Sequence, residues 1–290
     1  MLITGGTGLL GSELASFFSQ DYDIYRVGSA DFDIRRYDQV KAYFSDAKPD
    51  IVLHTAAMVN VDACETEREL AMSVNGEGAG NVARACKESG TRMVYYSTDY
   101  VFDGSNSRPY VETDATNPVN FYGVSKLEGE KRVETILGDY VILRVAWLYS
   151  RSPRSFINKL IESGTRQVRE KGGASQPGAI RVVSDQIGTP TAAVDVARQT
   201  ALVLEKELSG LFHCTAEGET SRYDLAKFIF DNLALDVDLA ACPSREFNWR
   251  ARRPPYSVLE NKKLNQMGLN VMRHYRVAVR EFLKDVGRRP

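Results

Sequence analysis

A short apolar strand running into three glycines at the head of a helix is the tightest constraint in this sequence. Met1-Leu2-Ile3-Thr4 leads into Gly5, Gly8 and Gly11, spaced G-x-x-G-x-x-G. Leu10, Leu14, Phe17 and Phe18 then recur at helical spacing. Glycines at such a turn let a pyrophosphate approach the helix N-terminus, where unpaired N–H groups and the dipole favour negative charge. The alternative reading is a plain glycine-rich turn.

The rest of the first half alternates strand and helix. Ile24–Val27, Ile51–His54, Arg92–Ser97 and Tyr140–Trp147 read as strands. Between them, helices are expected around Val40, Tyr43 and Phe44 (ending near Pro49), over Val74–Lys87 with Gly90 as its cap, and over Val119–Ile136. This order predicts an α/β fold, a doubly wound parallel sheet of Rossmann type. In the second half, Phe156–Ile161 reads as a short helix and residues 164–179 as an exposed loop. Val194–Leu208 is helical, and Leu211–Thr215 is a late strand able to rejoin the sheet. Ser221 with Asp224 reads as a capping box for a helix to Leu233. Short helices follow near Asn261–Met267 and Tyr275–Val286. The expected division is a nucleotide-binding domain of residues 1–147 plus about 190–216, and a smaller, mainly helical cap of about 148–189 plus 217–290.

Composition removes several function classes. Lys plus Arg is 37 against 38 Asp plus Glu, a net charge of −1, which argues against a nucleic-acid partner. No apolar run approaches the ~20 residues of a membrane span. The start, Met1-Leu2-Ile3-Thr4-Gly5, predicts no signal or transit segment. Cys64, Cys86, Cys214 and Cys242 form no C-x-x-C pair, as expected of reduced thiols in the cytoplasm. No His, Asp and Glu cluster has metal-ligand spacing, so no metal is assigned. His54 and His213 read as core residues.

Asp33-Ile34 lies about 20 residues beyond the glycines, where a carboxylate can meet an adenine amino group. It can equally cap a helix before Tyr37. The second strand ends Tyr25-Arg26-Val27-Gly28 with no acidic residue for a ribose 2′-hydroxyl. Arg26 could pair instead with a 2′-phosphate, which favours NADPH over NADH.

Tyr122 and Lys126 stand four apart on one helix face. An ammonium beside a phenol, and a cationic oxidised nicotinamide, should lower the phenol pKa from about 10. Tyr122 could then deliver a proton to a carbonyl oxygen while hydride reaches the carbon, with Lys126 holding the nicotinamide ribose. Among 14 tyrosines a lone Y-x-x-x-K carries little weight, and an ordinary exposed pair is the alternative. Ser97-Thr98 supplies context. It ends a strand at the edge where open α/β sheets bind ligands, and its hydroxyl can polarise the same carbonyl.

Five segments go further. Ser97-Thr98-Asp99-Tyr100-Val101-Phe102-Asp103-Gly104, Tyr122-Gly123-Val124-Ser125-Lys126-Leu127-Glu128-Gly129-Glu130 and Arg144-Val145-Ala146-Trp147-Leu148-Tyr149 come in order. Asp185-Gln186-Ile187-Gly188-Thr189-Pro190-Thr191 and Arg252-Arg253-Pro254-Pro255-Tyr256-Ser257 complete the set. Together they resemble the dTDP-4-dehydrorhamnose reductase family, in the extended branch of the short-chain dehydrogenases/reductases. The resemblance implies NAD(P)H-dependent reduction of the C4 ketone of a dTDP-4-keto-6-deoxy-L-sugar, with Thr98, Tyr122 and Lys126 catalytic. It also implies that Thr98, Asp99 and Trp147 touch the sugar and that Gly8, Leu9 and Leu10 line the pyrophosphate. Asp33-Ile34 would meet the adenine; Ala56, Ala57, Met58, Val59 and Tyr96 would border the nicotinamide. A flat Trp147 ring suits a pyranose face.

Arg253 reads either as a clamp for the nucleotide diphosphate or as part of a solvated loop stiffened by Pro254-Pro255. The expected partner is a nucleotide sugar, and the expected assembly a monomer or homodimer. The rivals are a 4-ketoreductase for another nucleotide-activated deoxysugar and a non-catalytic NADP-binding subunit, like the regulatory β subunit of methionine adenosyltransferase that resembles this family. A dehydratase is disfavoured because Tyr100, not Glu, follows Thr98-Asp99.

Overall fold

Apolar runs too short to bury themselves alone line up side by side in one sheet. The computed structural model describes residues 1–153, 155–171 and 178–287. β1 (Leu2–Thr4), α1 (Leu9–Phe18), β2 (Tyr25–Val27), α2 (Tyr37–Ala47) and β3 (Ile51–His54) open the chain. Then come α3 (Val61–Thr66), α4 (Arg68–Met72), a π-helical turn at Ser73–Glu77, α5 (Gly78–Ser89) and β4 (Arg92–Thr98). α6 (Phe121–Ile136) and β5 (Val141–Val145) complete the first half. The second half runs β6 (Leu148–Tyr149), α7 (Phe156–Glu170), β7 (Ile180–Val183), β8 (Ile187–Gly188), β9 (Thr191–Ala192), α8 (Ala193–Glu205) and β10 (Gly210–His213). It ends with β11 (Thr220–Ser221), α9 (Arg222–Asn232), β12 (Leu239–Cys242), α10 (Lys262–Gln266) and α11 (Tyr275–Gly287).

The main sheet has the order β10-β5-β4-β3-β1-β2, with every pair parallel. The direction of winding reverses between β1 and β3, and ligands of such sheets bind beyond the strand ends at that reversal. The glycine turn follows β1 and Thr55-Ala56-Ala57 follows β3, so both border that crevice. Apolar layers cover both faces. Leu14 and Phe18 of α1 pack with Val196 and Val203 of α8 on one side. Val40 and Phe44 of α2 pack with Val82 and Val133 on the other. A third cluster, including Ile157, Leu160, Ile229, Phe230 and Leu283, lies in the second half. Leu264 and Met272 join the first cluster instead, so the C-terminal segment also supports the sheet.

The late strand rejoins the sheet as β10, and Ser221 caps α9 by accepting from the Asp224 N–H at 2.9 Å. Gly90 ends α5 in the left-handed region, at φ 69°. Three expectations need correction. Helix α7 continues to Glu170 where a loop from 164 was expected. Gly164 sits inside it because a Cβ there would lie 2.5 Å from the Phe230 ring, and buried Gln167 bonds the Asp238 N–H and carbonyl. The rest of that expected loop includes residues 172–177, which lie outside the described residues. The helix expected over Val74–Lys87 instead begins as the π turn, which turns Asn75 inward. The strand expected to reach Trp147 stops at Val145, because Trp147 is left-handed at φ 41°. That conformation costs a non-glycine residue roughly 1–3 kcal/mol.

Helix α6 lies very close to the sheet. A Cβ on Gly123 would fall 2.1 Å from the Tyr100 carbonyl oxygen, and one on Gly129 would fall 2.2 Å from the Tyr95 hydroxyl. Below them Glu130 of α6 and Arg144 of β5 form a bidentate ion pair, 2.7 and 2.9 Å, with both side chains at most 5% exposed. Removing one partner of such a pair leaves a buried charge uncompensated, at a cost of about 3–5 kcal/mol, whereas replacing both by apolar groups is near neutral. Glu130→Ala should therefore lose most of that stability in urea denaturation, and Glu130→Met with Arg144→Met should recover much of it. Equal stability of the single variant and the wild type would contradict this reading of the α6 anchor.

Candidate active site

The carboxyl ends of β1, β3, β4 and β5 open into one cavity of about 1000 Å³. One end of it is built on the glycine turn. Gly5 is left-handed at φ 66°, and a Cβ on Gly11 would stand 2.4 Å from the Gly5 carbonyl oxygen. No larger residue fits this closed turn, and Gly5, Gly8, Leu9, Leu10 and Gly11 all line the cavity. Asp33, Ile34, Ala56 and Ala57 line it as well. Asp33 does not cap α2, whose first turn is preceded by Arg36. Its carboxylate instead grips the Arg35 guanidinium through both oxygens, and this pairing holds its pKa below the ordinary value.

The chemical end lies where β4 and α6 meet. Asn120 caps α6, accepting from the Gly123 N–H at 2.8 Å and donating to the Arg252 carbonyl at 2.9 Å. This sets the first turn, so that Tyr122 and Lys126 both face the cavity beside Thr98, Asp99, Tyr96 and Trp147. Thr98 Oγ1 donates to Asp99 Oδ1 at 3.0 Å and accepts from the Tyr100 N–H at 3.1 Å. The same hydroxyl lies beside the Tyr122 phenol. Lys126 Nζ donates to the Tyr96 carbonyl at 2.7 Å and sits 4.0 Å over the Tyr95 ring.

The electrostatics differ from expectation. Burial, with Asp99 adding a smaller push, holds the Tyr122 phenol above its ordinary pKa, although the Thr98 hydroxyl works the other way. The expected lowering by Lys126 is outweighed by burial, and the Lys126 ammonium donates to the Tyr96 carbonyl. Tyr122 is therefore a protonated phenol at neutral pH, the form that can donate. Desolvation lowers Lys126 to about 7, with Glu130 opposing. Desolvation also raises Asp99 to about 6, with the Ser257 and Thr98 hydroxyls working the other way. The buried His54 and His213 are both lowered to about 3, chiefly by desolvation. Each uses only its Nδ1, His54 with Thr4 at 2.6 Å and His213 with the Glu260 carbonyl at 3.1 Å.

Three expected residues do not reach the cavity wall. Arg26 is exposed and donates through Nε and Nη2 to the Gly6 carbonyl, bracing the turn from outside. Met58 is turned aside because Asn75 clamps its backbone on both sides, at 2.8 and 3.1 Å; exposed Val59 lines the cavity in its place. Arg253 is committed to Asp62 at 2.6 Å and stacks on Trp249 at 4.1 Å, so it is not a free clamp. Trp147 lines the cavity, but the Arg222 guanidinium lies over its ring at 4.0 Å and Gly188 packs tightly against it.

Sequence reasoning missed Asn75, Ser125 and Arg222. Asn75 Nδ2 donates to Ser125 Oγ at 2.9 Å, and Ser125 donates to the Tyr122 carbonyl at 2.9 Å, a chain that ties the Met58 segment to the catalytic helix. A polar residue on the inward side of a helix was the available signal. Among the described residues no group of three or more His, Cys, Asp or Glu could hold a metal ion, and no helix is long and apolar enough to cross a membrane.

Residues 1–288 match the family model described as the RmlD substrate binding domain. The chain is 35% identical over 281 residues to the dTDP-4-keto-6-deoxy-D-glucose reductase of Streptomyces niveus, covering 96% of this chain and 94% of that protein. Its fold matches a dTDP-4-dehydrorhamnose reductase from Clostridium acetobutylicum with a TM-score of 0.92, at 36% identity and 99% coverage of both chains. It matches equally, at TM-score 0.92, 33% identity and 98% coverage of both, a dTDP-4-dehydrorhamnose reductase from Bacillus anthracis in complex with NADP.

The depressed Lys126 pKa yields a test of the site's electrostatics. Its unfolded value is about 10.4, so between pH 7 and 10 the unfolded chain binds more protons and wild-type stability gains with rising pH from this group. Below pH 7 the full penalty of the buried ammonium is present. Lys126→Met should thus raise the apoprotein Tm at pH 7 and show a smaller pH-dependent rise between pH 7 and 9.5 in thermal scans. A Met variant less stable at pH 7, with the wild-type pH slope, would contradict the assignment.

Proposed function

The chain belongs to the dTDP-4-dehydrorhamnose reductase family, and from that premise we propose that it reduces the C4 ketone of dTDP-4-dehydro-6-deoxy-L-mannose to dTDP-L-rhamnose with NADPH. The observation that supports this best is that Thr98, Tyr122 and Lys126 share one cavity with the glycine cradle. The cradle fits a dinucleotide diphosphate because Gly5, Gly8 and Gly11 line the cavity at the N-terminus of α1, whose first turn carries no side-chain cap and no acidic residue. When bound there, NADPH supplies the hydride. The complex of the Bacillus anthracis relative with NADP supports the choice of cofactor.

The chain's own groups handle the oxygen. Thr98 and Tyr122 together donate hydrogen bonds to the ketone oxygen and polarise it. Tyr122, held as a phenol, passes its proton to that oxygen as negative charge develops. Lys126, tied to the Tyr96 carbonyl, holds the ribose beside the reacting carbon. Asp99, which lines the same cavity, offers its carboxyl to a sugar hydroxyl. Trp147, with Arg222 over its ring, presents its remaining surface to the pyranose. Residues 1–147 with about 190–216 form the cofactor half, and the remainder forms the sugar-nucleotide cap apart from the segment of Leu264 and Met272, which packs into the core of the sheet. The enzyme works in the cytoplasm as a monomer or homodimer.

NAD(P)H oxidation against dTDP-, CDP- and GDP-4-keto-6-deoxy sugars tests the substrate. The expected outcome is the highest kcat/KM with dTDP-4-dehydrorhamnose, and a clear preference for another base or sugar would shift the assignment to it. The 4-keto-6-deoxy-D-glucose named for the Streptomyces niveus relative is the natural competitor. Tyr122→Phe should lower kcat by about 10²–10⁴ while the NADPH Kd stays within about twofold, since ring packing survives and the donor is lost. Near-normal turnover by that variant would remove Tyr122 from the mechanism.

A further inference from the structure

We propose that Arg222 binds the diphosphate of the nucleotide sugar, an assignment that rests on the substrate reading above. Among the described residues, three cationic side chains line the main cavity: Arg35, Lys126 and Arg222. Arg35 is committed to both oxygens of Asp33, and Lys126 to the Tyr96 carbonyl. Arg222 donates through Nε to Gln186 Oε1 at 3.3 Å and its side chain also meets the Tyr100 hydroxyl, so both of these hydrogen-bond partners are neutral groups. The nearest acidic residue on its own helix, Asp224, is occupied by the Ser221 hydroxyl and N-terminal capping. Asp99 and the Tyr100 hydroxyl face Arg222 from β4's end, and both feel its charge.

The position of the guanidinium over the Trp147 ring, 4.0 Å from its centroid, favours an oxyanion. A guanidinium lying over an indole keeps its in-plane N–H groups for a bidentate contact with phosphate. Sheet order separates this position from the cofactor diphosphate. The glycine cradle follows β1, while Trp147 and Arg222 stand beyond β5, with β3 and β4 between. Three strand spacings of ~4.8 Å put roughly 14 Å between them, so Arg222 serves a second anion. Thr98 pairs with Val145 in register, only two residues before Trp147. A pyranose whose C4 oxygen meets Thr98 and Tyr122 can therefore carry its anomeric phosphate toward Arg222.

The test is calorimetric titration of the NADPH-loaded protein with dTDP, UDP, CDP and GDP, and with thymidine as the phosphate-free probe. Arg222→Gln should weaken dTDP binding roughly 10- to 100-fold, the effect of one lost charge-assisted contact, while thymidine and NADPH binding stay unchanged. Arg222→Met, which keeps contact with Trp147, should show the same loss and guards against a packing artefact. Wild-type dTDP affinity in both variants, or an equal loss for thymidine, overturns the assignment while leaving the reductase reading intact. Binding of NADPH but of no nucleoside diphosphate by the wild type would overturn the substrate reading itself, and Arg222's role with it.

Discussion

A helix can bring a phenol and an amine to the end of a neighbouring strand only if nothing stands between helix and strand. On α6 that requirement falls on Gly123 and Gly129, which face the Tyr100 backbone and the Tyr95 hydroxyl where no Cβ has room. The Glu130–Arg144 pair fastens the same helix to β5, buried on both sides. Asn120 fixes its first turn, and the Asn75–Ser125 bond holds its flank to the π turn. With α6 seated this way, Tyr122 and Lys126 have little choice of position, and the cavity chemistry follows from it.

The site is costly to keep. An ammonium, a carboxylate and a phenol are all desolvated within it, and each is shifted toward its neutral form. Trp147 adds a left-handed backbone. Strain and desolvation of this kind persist only where the surrounding packing over-determines them, and they concentrate at functional sites. The layers on both faces of the sheet supply that packing.

Local signals carried much of this into the sequence. The glycine turn, the Ser221 cap and the left-handed Gly90 each depend on a few adjacent residues, and each stands where the spacing placed it. What was not legible depends on partners far along the chain. Arg253 looked like an open clamp because its carboxylate, Asp62, lies 191 residues away. The stretch from Gly164 reads as a loop because nothing nearby in sequence announces Phe230 against that glycine. Arg26 reads as a phosphate partner from its position at the end of the second strand, but its guanidinium turns back to the Gly6 carbonyl. The expected lowering of Tyr122 by Lys126 left out burial, which outweighs it, and a backbone carbonyl on β4 takes the ammonium. Arg222 lacked any motif and emerged only when Trp147 and α9 met across the cavity.

The central claim is that these groups meet around one ketone at the end of β4, next to the cofactor. The most direct test is a single turnover with NADPH carrying two deuterium atoms at C4 of the dihydropyridine ring and dTDP-4-dehydrorhamnose, read by NMR. The account predicts one deuterium at C4 of the product sugar for each NADPH consumed. Deuterium elsewhere in the sugar, or turnover with no net loss of NADPH, would contradict it.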